Sequence, residues 1–254
     1  MKKLLRFPAI FASSALGASL IGNPADPAIL EEGFWISDCS WASVRAGISG
    51  DLLFEKRMRP CRGSHGLGIS KPEMNWKIAC WDLGWNIKER FDLHLLAGPA
   101  ASIKLKWQQE GAAYDAFGDR GLFWGASSKL VLLEIQDTAL GVDFHGGGIQ
   151  WIEGPLLRNG VPESKTFSSR LYFWQLGVGL SQNLGALKPY VGAATSHLVY
   201  VLSPSSGKKI RFHDLLAAGA FEGCTLSLGS RVFLNIEARQ FFESGVSLSG
   251  EIRF

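Results

Sequence analysis

Charged side chains of this 254-residue sequence recur at alternate positions of apolar runs, a spacing that gathers them on one face of a β-strand. If the strands close into a barrel, that face lines the interior, and rings of charge there can select solutes. The alternative is an interior filled by mutually satisfied salt bridges, which is common in small barrels. The sequence leaves both interpretations open. The residues predicted to face the lumen are Arg45, Asp51, Asp92, His94, Lys104, Lys106, Asp143, Glu237 and Arg239.

A glycine-rich segment, His145-Gly146-Gly147-Gly148, resembles the oxyanion loop of esterases, in which successive backbone N–H groups stabilise a developing negative charge. Esterase chemistry also needs a nucleophile on a Gly-x-Ser-x-Gly turn, and the sequence contains no such turn. We therefore interpret the segment as a glycine-rich strand end. The sequence predicts no catalytic residues and no enzymatic activity.

The N-terminal segment has the pattern of a cleaved export signal. Basic residues precede a short apolar run, and small residues then place the cleavage after Ser19 or after Gly17. The prediction is a signal peptide over 1–19 and a barrel domain over 20–254, in which 20–40 form an N-terminal extension. No segment offers about 18 uninterrupted apolar residues, which argues against a helical membrane protein.

The net charge of +3 belongs to the predicted signal, where Lys2, Lys3 and Arg6 have no acidic counterpart. The mature chain is then nearly neutral. No basic stripe remains that would indicate nucleic acid as a partner.

The cysteines favour disulfides, within or between chains, because an exported protein meets an oxidising environment. No Cys-x-x-Cys occurs and no histidine stands at a zinc-ligand spacing, so we predict no metal and no cofactor. Four cysteines allow three pairings, and an apolar wall position is the alternative for some of them. The candidates are Cys39, Cys61, Cys80 and Cys224.

The elements that must position these residues are strands, because apolar and polar residues alternate with period two along most of the chain. The regular runs cover 42–54, 91–107, 138–145, 172–181, 231–239 and 244–254, and less regular ones cover 74–87, 121–134, 188–202 and 212–224. Breaker-rich connections alternate with tight turns, as in transmembrane barrels. The predicted fold is all-β: a single antiparallel transmembrane β-barrel of about ten strands, within a range of about 8–12.

The last strand carries a predicted insertion signal, since bacterial outer-membrane barrels end on such a strand and its terminal aromatic is read by the insertion machinery. One face of it bears Val246, Leu248, Ile252 and Phe254. Tryptophans fall toward strand ends, where an aromatic girdle would lie at the two headgroup levels. They are Trp41, Trp76, Trp85, Trp107, Trp124, Trp151 and Trp174.

Five segments resemble the chlamydial major outer membrane protein family. Leu20–Leu30, with its Gly-Asn-Pro-Ala core, resembles the family's mature N-terminus, and Ser43–Phe54 resembles its first strand. Further along the chain the resemblance covers Arg90–Leu93, which leads into an alternating strand, Trp174–Gly192, which resembles a late hairpin, and Glu251–Phe254, which resembles the ending. The chain is shorter than typical members, so fewer strands or shorter outer loops are expected. It departs from the family's extensive disulfide cross-linking, since it keeps only Cys39 of the N-terminal cysteine cluster.

The resemblance implies a cell outer membrane location and a porin for small hydrophilic solutes, an envelope structural protein, or both. The implied partners are outer-membrane lipid, the barrel-insertion machinery, small hydrophilic solutes, and further copies of itself or other cysteine-containing envelope proteins. The alternative is a non-conducting structural or adhesive barrel with a filled lumen, cross-linked through its cysteines.

Overall fold

The computed structural model describes residues 22–25, 42–61, 68–88, 90–118, 121–151, 154–205, 209–215, 217–229, 231–241 and 243–254. Within these ranges no helix is long and apolar enough to cross a membrane. The regular elements are thirteen strands. They are β1 (Ala42–Pro60), β2 (Ile69–Ile87), β3 (Phe91–Gln109), β4 (Ala112–Gly118), β5 (Gly121–Ile135), β6 (Thr138–Trp151), β7 (Gly154–Arg158), β8 (Val161–Gln182), β9 (Leu187–Pro204), β10 (Ile210–Asp214), β11 (Ala218–Leu228), β12 (Val232–Gln240) and β13 (Ser244–Arg253).

The thirteen strands make a closed wall of ten. β4 and β5 pair in succession along β3, β6 and β7 pair in succession along β8, and β10 and β11 pair in succession along β9, so each couple acts as one interrupted wall strand. The last strand, β13, pairs with β1 from Arg45↔Arg253 to Glu55↔Ser244, which closes the ring. All pairings are antiparallel, and the predicted ten-stranded barrel is confirmed.

The two rims of the barrel differ. One rim, here called the turn side, holds the ends Ala42 and Arg253 and the short connections at 88–90, 136–137, 183–186 and 229–231. At the opposite rim, the loop side, Glu110-Gly111 and Asn159-Gly160 have positive φ at both residues, as a two-residue type I′ hairpin requires.

The wall narrows toward the loop side. The hairpin β12–β13 is short, and above its tip β10 pairs directly with β1 through Met58↔Asp214 and Pro60↔Phe212. Ten strands therefore surround the lumen on the turn side and eight on the loop side. An irregularity in β1 between Leu53 and Lys56 lies at the level of this change.

The polarity of the barrel inverts between the two parts. Around the ten-stranded part the outward side chains are large and apolar, including Ile48, Trp81, Leu176 and Ile236, and the buried inward ones are mostly polar. Around the eight-stranded part the interior is an apolar core instead. An apolar outer band with a polar interior is the pattern of a transmembrane barrel, whereas the loop-side part has the pattern of a water-exposed barrel.

The inversion corrects the predicted placement of Lys104 and Lys106. His94 and Leu96 face inward near the start of β3, but after the irregularity opposite Lys77/Ile78 the inward residues are Ile103, Leu105 and Trp107. One extra residue in a strand reverses which face each later side chain occupies. Both lysines therefore lie on the outer wall, where Lys104 Nζ is 2.9 Å from Asp115 Oδ2.

The predicted aromatic girdle needs a similar correction. Trp124 and Trp174 face outward in the apolar band, but Trp76 and Trp107 are buried in the interior. Trp107 stacks on Tyr114 with ring centroids 5.3 Å apart. Trp41 lies outside the described residues, and the side chain of Trp151 is not among those that the structure describes.

Candidate functional site: the lumen

The layer of the lumen nearest the turn side is a buried ion-pair network centred on Arg45. This guanidinium contacts Asp92, and its Nη1 lies 3.2 Å from Glu251 Oε2. Asn86 donates to the second oxygen of Asp92 at 2.8 Å, and His94 Nδ1 lies 2.9 Å from Asp82 Oδ1. The residues come from β13, β1, β2 and β3, which are consecutive strands, so the network links one side of the wall.

A second layer, closer to the loop side, is centred on Arg239 of β12. Its Nη2 lies 2.5 Å from Asp51 Oδ1, and its Nη1 lies 3.3 Å from Glu237 Oε1. Trp76 Nε1 donates to the other oxygen of Asp51 at 2.6 Å, and Tyr190 OH donates to Glu237 Oε2 at 3.2 Å. Every charge in this layer is buried, and each is opposed by a partner of opposite sign.

A third layer sits where ten strands become eight. Lys56 Nζ lies 2.6 Å from Glu243 Oε2 and 3.7 Å from Asp214 Oδ2, and it donates to Ser196 Oγ at 3.2 Å. Lys56 and Glu243 are not among the residues predicted to face the lumen. A single alternation continued along β1 places Lys56 on the outer face, whereas the bulge between Leu53 and Lys56 turns it inward.

Above the third layer the interior is apolar. Side chains from β2, β3, β5, β6, β8, β9 and β10 meet there and leave water almost no access. The largest members of this core are Trp107, Phe123, Phe167, Tyr200 and Phe212, and Trp76 joins it to the second layer through its hydrogen bond to Asp51.

Inside the turn-side mouth lies a piece of the N-terminal extension, here called the plug (Asn23–Ala25). Asn23 Nδ2 donates to Ser181 Oγ of β8 at 3.0 Å, and Asn23 and Ala25 are fully buried. Two inward glycines make room for it: a Cβ on Gly141 would lie 2.2 Å from the Pro24 carbonyl oxygen, and one on Gly179 would lie 3.2 Å from Pro24 Cγ. The sequence does not predict that this segment enters the barrel, because an irregular peptide has no periodicity that would indicate its contacts. It contributes there only to the family resemblance.

Between the plug and the charged layers a cavity of about 30 Å³ remains. It is lined by Gly22, Asp82, His94, Lys129 and Glu251 among others, and a space of this size holds water rather than an organic solute. Ligand atoms of Asp82, His94 and Glu251 lie within 4.8 Å of one another, as around a metal. However, Glu251 is paired with Arg45 and Asp82 contacts His94, so both carboxylates already have a partner within the protein.

Seven of the predicted lumen residues lie in the interior, and six of them belong to the first two layers. The seventh, Asp143, faces Lys129 across the β5–β6 pair and is 1% exposed. The two remaining predictions, Lys104 and Lys106, lie on the outer wall, as described above. The six in the first two layers are Arg45, Asp51, Asp92, His94, Glu237 and Arg239.

The glycine-rich segment 145–148 is part of β6 and packs tightly against its neighbours. A Cβ on Gly147 would lie 2.5 Å from the Trp124 carbonyl oxygen, and one on Gly148 would lie 3.0 Å from the Leu171 carbonyl oxygen. His145 faces inward, with its ring edge-on to Phe173 at 5.2 Å. The glycines therefore let adjacent strands approach closely in this part of the wall.

The predicted insertion-signal residues lie on β13 and at the chain end. Leu248, Ile252 and Phe254 are about half exposed on the outer wall, and Val246 on the same face is partly buried. Their role in insertion remains a prediction.

Cys61, Cys80 and Cys224 are free thiols, and Cys39 lies outside the described residues. Cys80 is buried in the apolar core, Cys61 follows β1 at the loop-side rim, and Cys224 lies beside the inward Thr225 on β11. No disulfide joins the described cysteines, so the predicted pairing gains no support from this part of the chain.

We expect a membrane-impermeant maleimide to modify Cys61 on folded protein at least about tenfold faster than Cys80, because burial in a close-packed core excludes the reagent. Single-cysteine variants that keep Cys61 or Cys80 alone, followed by mass spectrometry, provide the measurement. Equal rates on folded protein would contradict the placement of Cys80 in the core, and unfolding in urea should make the rates similar.

No family model and no curated protein matches this chain. Among solved structures it is similar to the outer membrane protease OmpT from Escherichia coli, with 8% identity and a TM-score of 0.41 over 84% of this chain and 93% of that one. It is also similar to the translocator domain of autotransporter NalP from Neisseria meningitidis, with 12% identity and a TM-score of 0.40 over 85% and 88%. A third is the transport unit of the autotransporter AIDA-I from Escherichia coli, with 13% identity and a TM-score of 0.33 over 90% and 95%.

These findings correct the prediction of no enzymatic activity, since one of the similar barrels is a protease. The missing Gly-x-Ser-x-Gly turn argues only against one kind of hydrolase and not against catalysis in general. The chain itself contains a histidine–carboxylate contact near the loop side, where His197 Nδ1 lies 3.2 Å from Asp214 Oδ1. The fold is a closed antiparallel β-barrel with an outward apolar band, and the resemblance to the chlamydial family has no support from these comparisons.

Proposed function

We propose that this chain is a non-conducting outer-membrane barrel that acts as a structural or adhesive element of the envelope. The observation that carries the proposal is the occupied lumen: plug, charged layers and apolar core follow one another from the turn side to the loop side. The cavity between the plug and the charged layers has a volume of about 30 Å³.

The wall size supports the same proposal. Open aqueous channels belong to barrels of about sixteen or more strands, whereas smaller barrels are filled by their own side chains. Here ten strands narrow to eight, and the narrower part contains large aromatic residues instead of water. The porin suggested by the family resemblance would need a continuous polar path, and the apolar core interrupts it.

The loop-side part supplies the surface for such a role. Its outer wall is polar, with exposed Arg57, Arg59, Lys71 and Glu73, so it projects beyond the apolar band as a rigid extension. A barrel filled by its own core holds this extension in a fixed position relative to the membrane.

Conductance in planar bilayers tests the proposal. We expect purified, folded protein to give no discrete current steps, while a sixteen-stranded porin inserted under the same conditions does. Folding is checked by the heat-dependent shift of the barrel in electrophoresis, so that an absence of current steps cannot be due to unfolded protein. Reproducible steps from the folded protein would overturn the non-conducting proposal and favour the porin.

A further inference from the structure

The outer wall of β8, β9, β10 and β1 carries two rows of basic side chains just beyond the apolar band. In the first row Arg170 and Arg211 both lie directly opposite Val201, on either side of it. In the second row Tyr172 and His213 lie on either side of Val199, and His213 lies opposite Arg59. We call Arg59, Arg170, Arg211 and His213 the basic face.

The basic face lies at the height of lipid headgroups. Along β8 the outward residues Leu176, Val178 and Leu180 belong to the apolar band, and Trp174 and Tyr172 follow as an aromatic rim. Arg170 is the next outward residue, about 7 Å further along the strand. Aromatic side chains mark the membrane interface, so Arg170 is placed beside the phosphates of the leaflet on the loop side.

The opposite wall at a similar height is charge-balanced, which makes the basic face distinctive. There Lys106 lies directly opposite Glu73 on one side and Asp115 on the other, and Lys104 pairs with Asp115. Near the basic face the outward acid Glu55 pairs with Arg57. The partly exposed Glu163 of β8 lies beyond Ser168, close to the loop-side end of the strand. Asp214 contacts His197 but is buried behind the wall.

Hydroxyl side chains continue the surface beyond the arginines. Ser168 and Ser203 lie opposite each other on β8 and β9, one outward position beyond Arg170 and Val201. Arginine forks bind phosphate oxygens bidentately, and hydroxyl groups exchange hydrogen bonds with sugar hydroxyls. The surface therefore has the same order as a phosphorylated glycolipid in a membrane. The apolar band lies beside the acyl chains, the aromatic rim at the interface, the arginines beside the phosphates and the serines beside the sugars.

We propose that the basic face binds the phosphate groups of a glycolipid in the leaflet on the loop side of the barrel. The binding orients the barrel in the membrane and holds a lipid molecule against its outer wall. It holds whether or not the lumen conducts, because the basic face lies entirely on the outer wall.

Native mass spectrometry of the folded barrel in detergent micelles, with bis-phosphorylated lipid A added, tests this inference. We expect retained lipid A on the wild type and at least a tenfold loss in the double variant Arg170→Gln/Arg211→Gln. The matched control is Lys106→Gln on the balanced wall, which should retain lipid A like the wild type. The heat-dependent electrophoretic shift confirms that each variant is folded, and each single arginine variant is measured beside the double one.

Two further probes identify the lipid chemistry. Dephosphorylated lipid A should be retained at least tenfold less than the phosphorylated form, and phosphatidylglycerol should not compete at equal concentration. Equal retention by the double variant, equal binding of the dephosphorylated lipid, or equal binding of phosphatidylglycerol would each overturn the proposal. A failure here leaves the conductance result unaffected, so the two proposals are judged separately.

Discussion

Replacing Arg239 by alanine is expected to lower the free energy of unfolding by about 3–5 kcal/mol, because breaking a buried ion pair leaves uncompensated charge in the interior. The guanidinium is fully buried and contacts both Asp51 and Glu237. Its loss leaves both carboxylates buried without their shared cation. Urea unfolding of the barrel in lipid vesicles, followed by tryptophan fluorescence, gives the measurement.

The exposed pair Arg57–Glu55 provides the matched control. Its nitrogen–oxygen distance of 3.1 Å is similar to those of the buried pairs, but its side chains are 68% and 46% exposed. We expect Arg57→Ala to change the free energy of unfolding by less than about 1 kcal/mol, since water solvates and screens exposed charges. A similar small change for Arg239→Ala would mean that the second layer is hydrated and that the lumen is open to water.

Replacing Gly141 by alanine is expected to displace the plug, because the new Cβ would lie 2.2 Å from the Pro24 carbonyl oxygen. The contact is with backbone, which cannot move aside as the end of a long side chain can. In a cysteine-free background, Ala25→Cys should then react with a small maleimide at least about tenfold faster than in the presence of Gly141, since Ala25 is fully buried.

Gly146→Ala on the same strand is the control. A Cβ there meets Phe144 Cε1 at 3.7 Å, an ordinary contact, so Ala25→Cys should stay protected. Rapid labelling of Ala25→Cys with both glycines intact would show that the plug is not seated. Protection that survives Gly141→Ala would place the plug elsewhere in the mouth.

The sequence by itself determined the fold class and part of the polar lining. Period-two alternation is a local property, and it identified outward apolar residues and seven of the charged residues that line the lumen, since neither depends on distant contacts. The count of about ten strands also followed, because most connections contain recognisable breakers.

Only the tertiary structure decided how the interior is filled. The bulges in β1 and β3 reverse the inward face, and a bulge is fixed by pairing with other strands. For that reason Lys104 and Lys106 lie on the outer wall and not in the lumen as predicted, while Lys56 faces inward. Arg239 pairs with Asp51, which lies 188 residues away in sequence, and Asn23 of the plug binds Ser181, which lies 158 residues away. Closure of the lumen is thus a property of the assembled wall, because it arises where inward side chains from many strands meet.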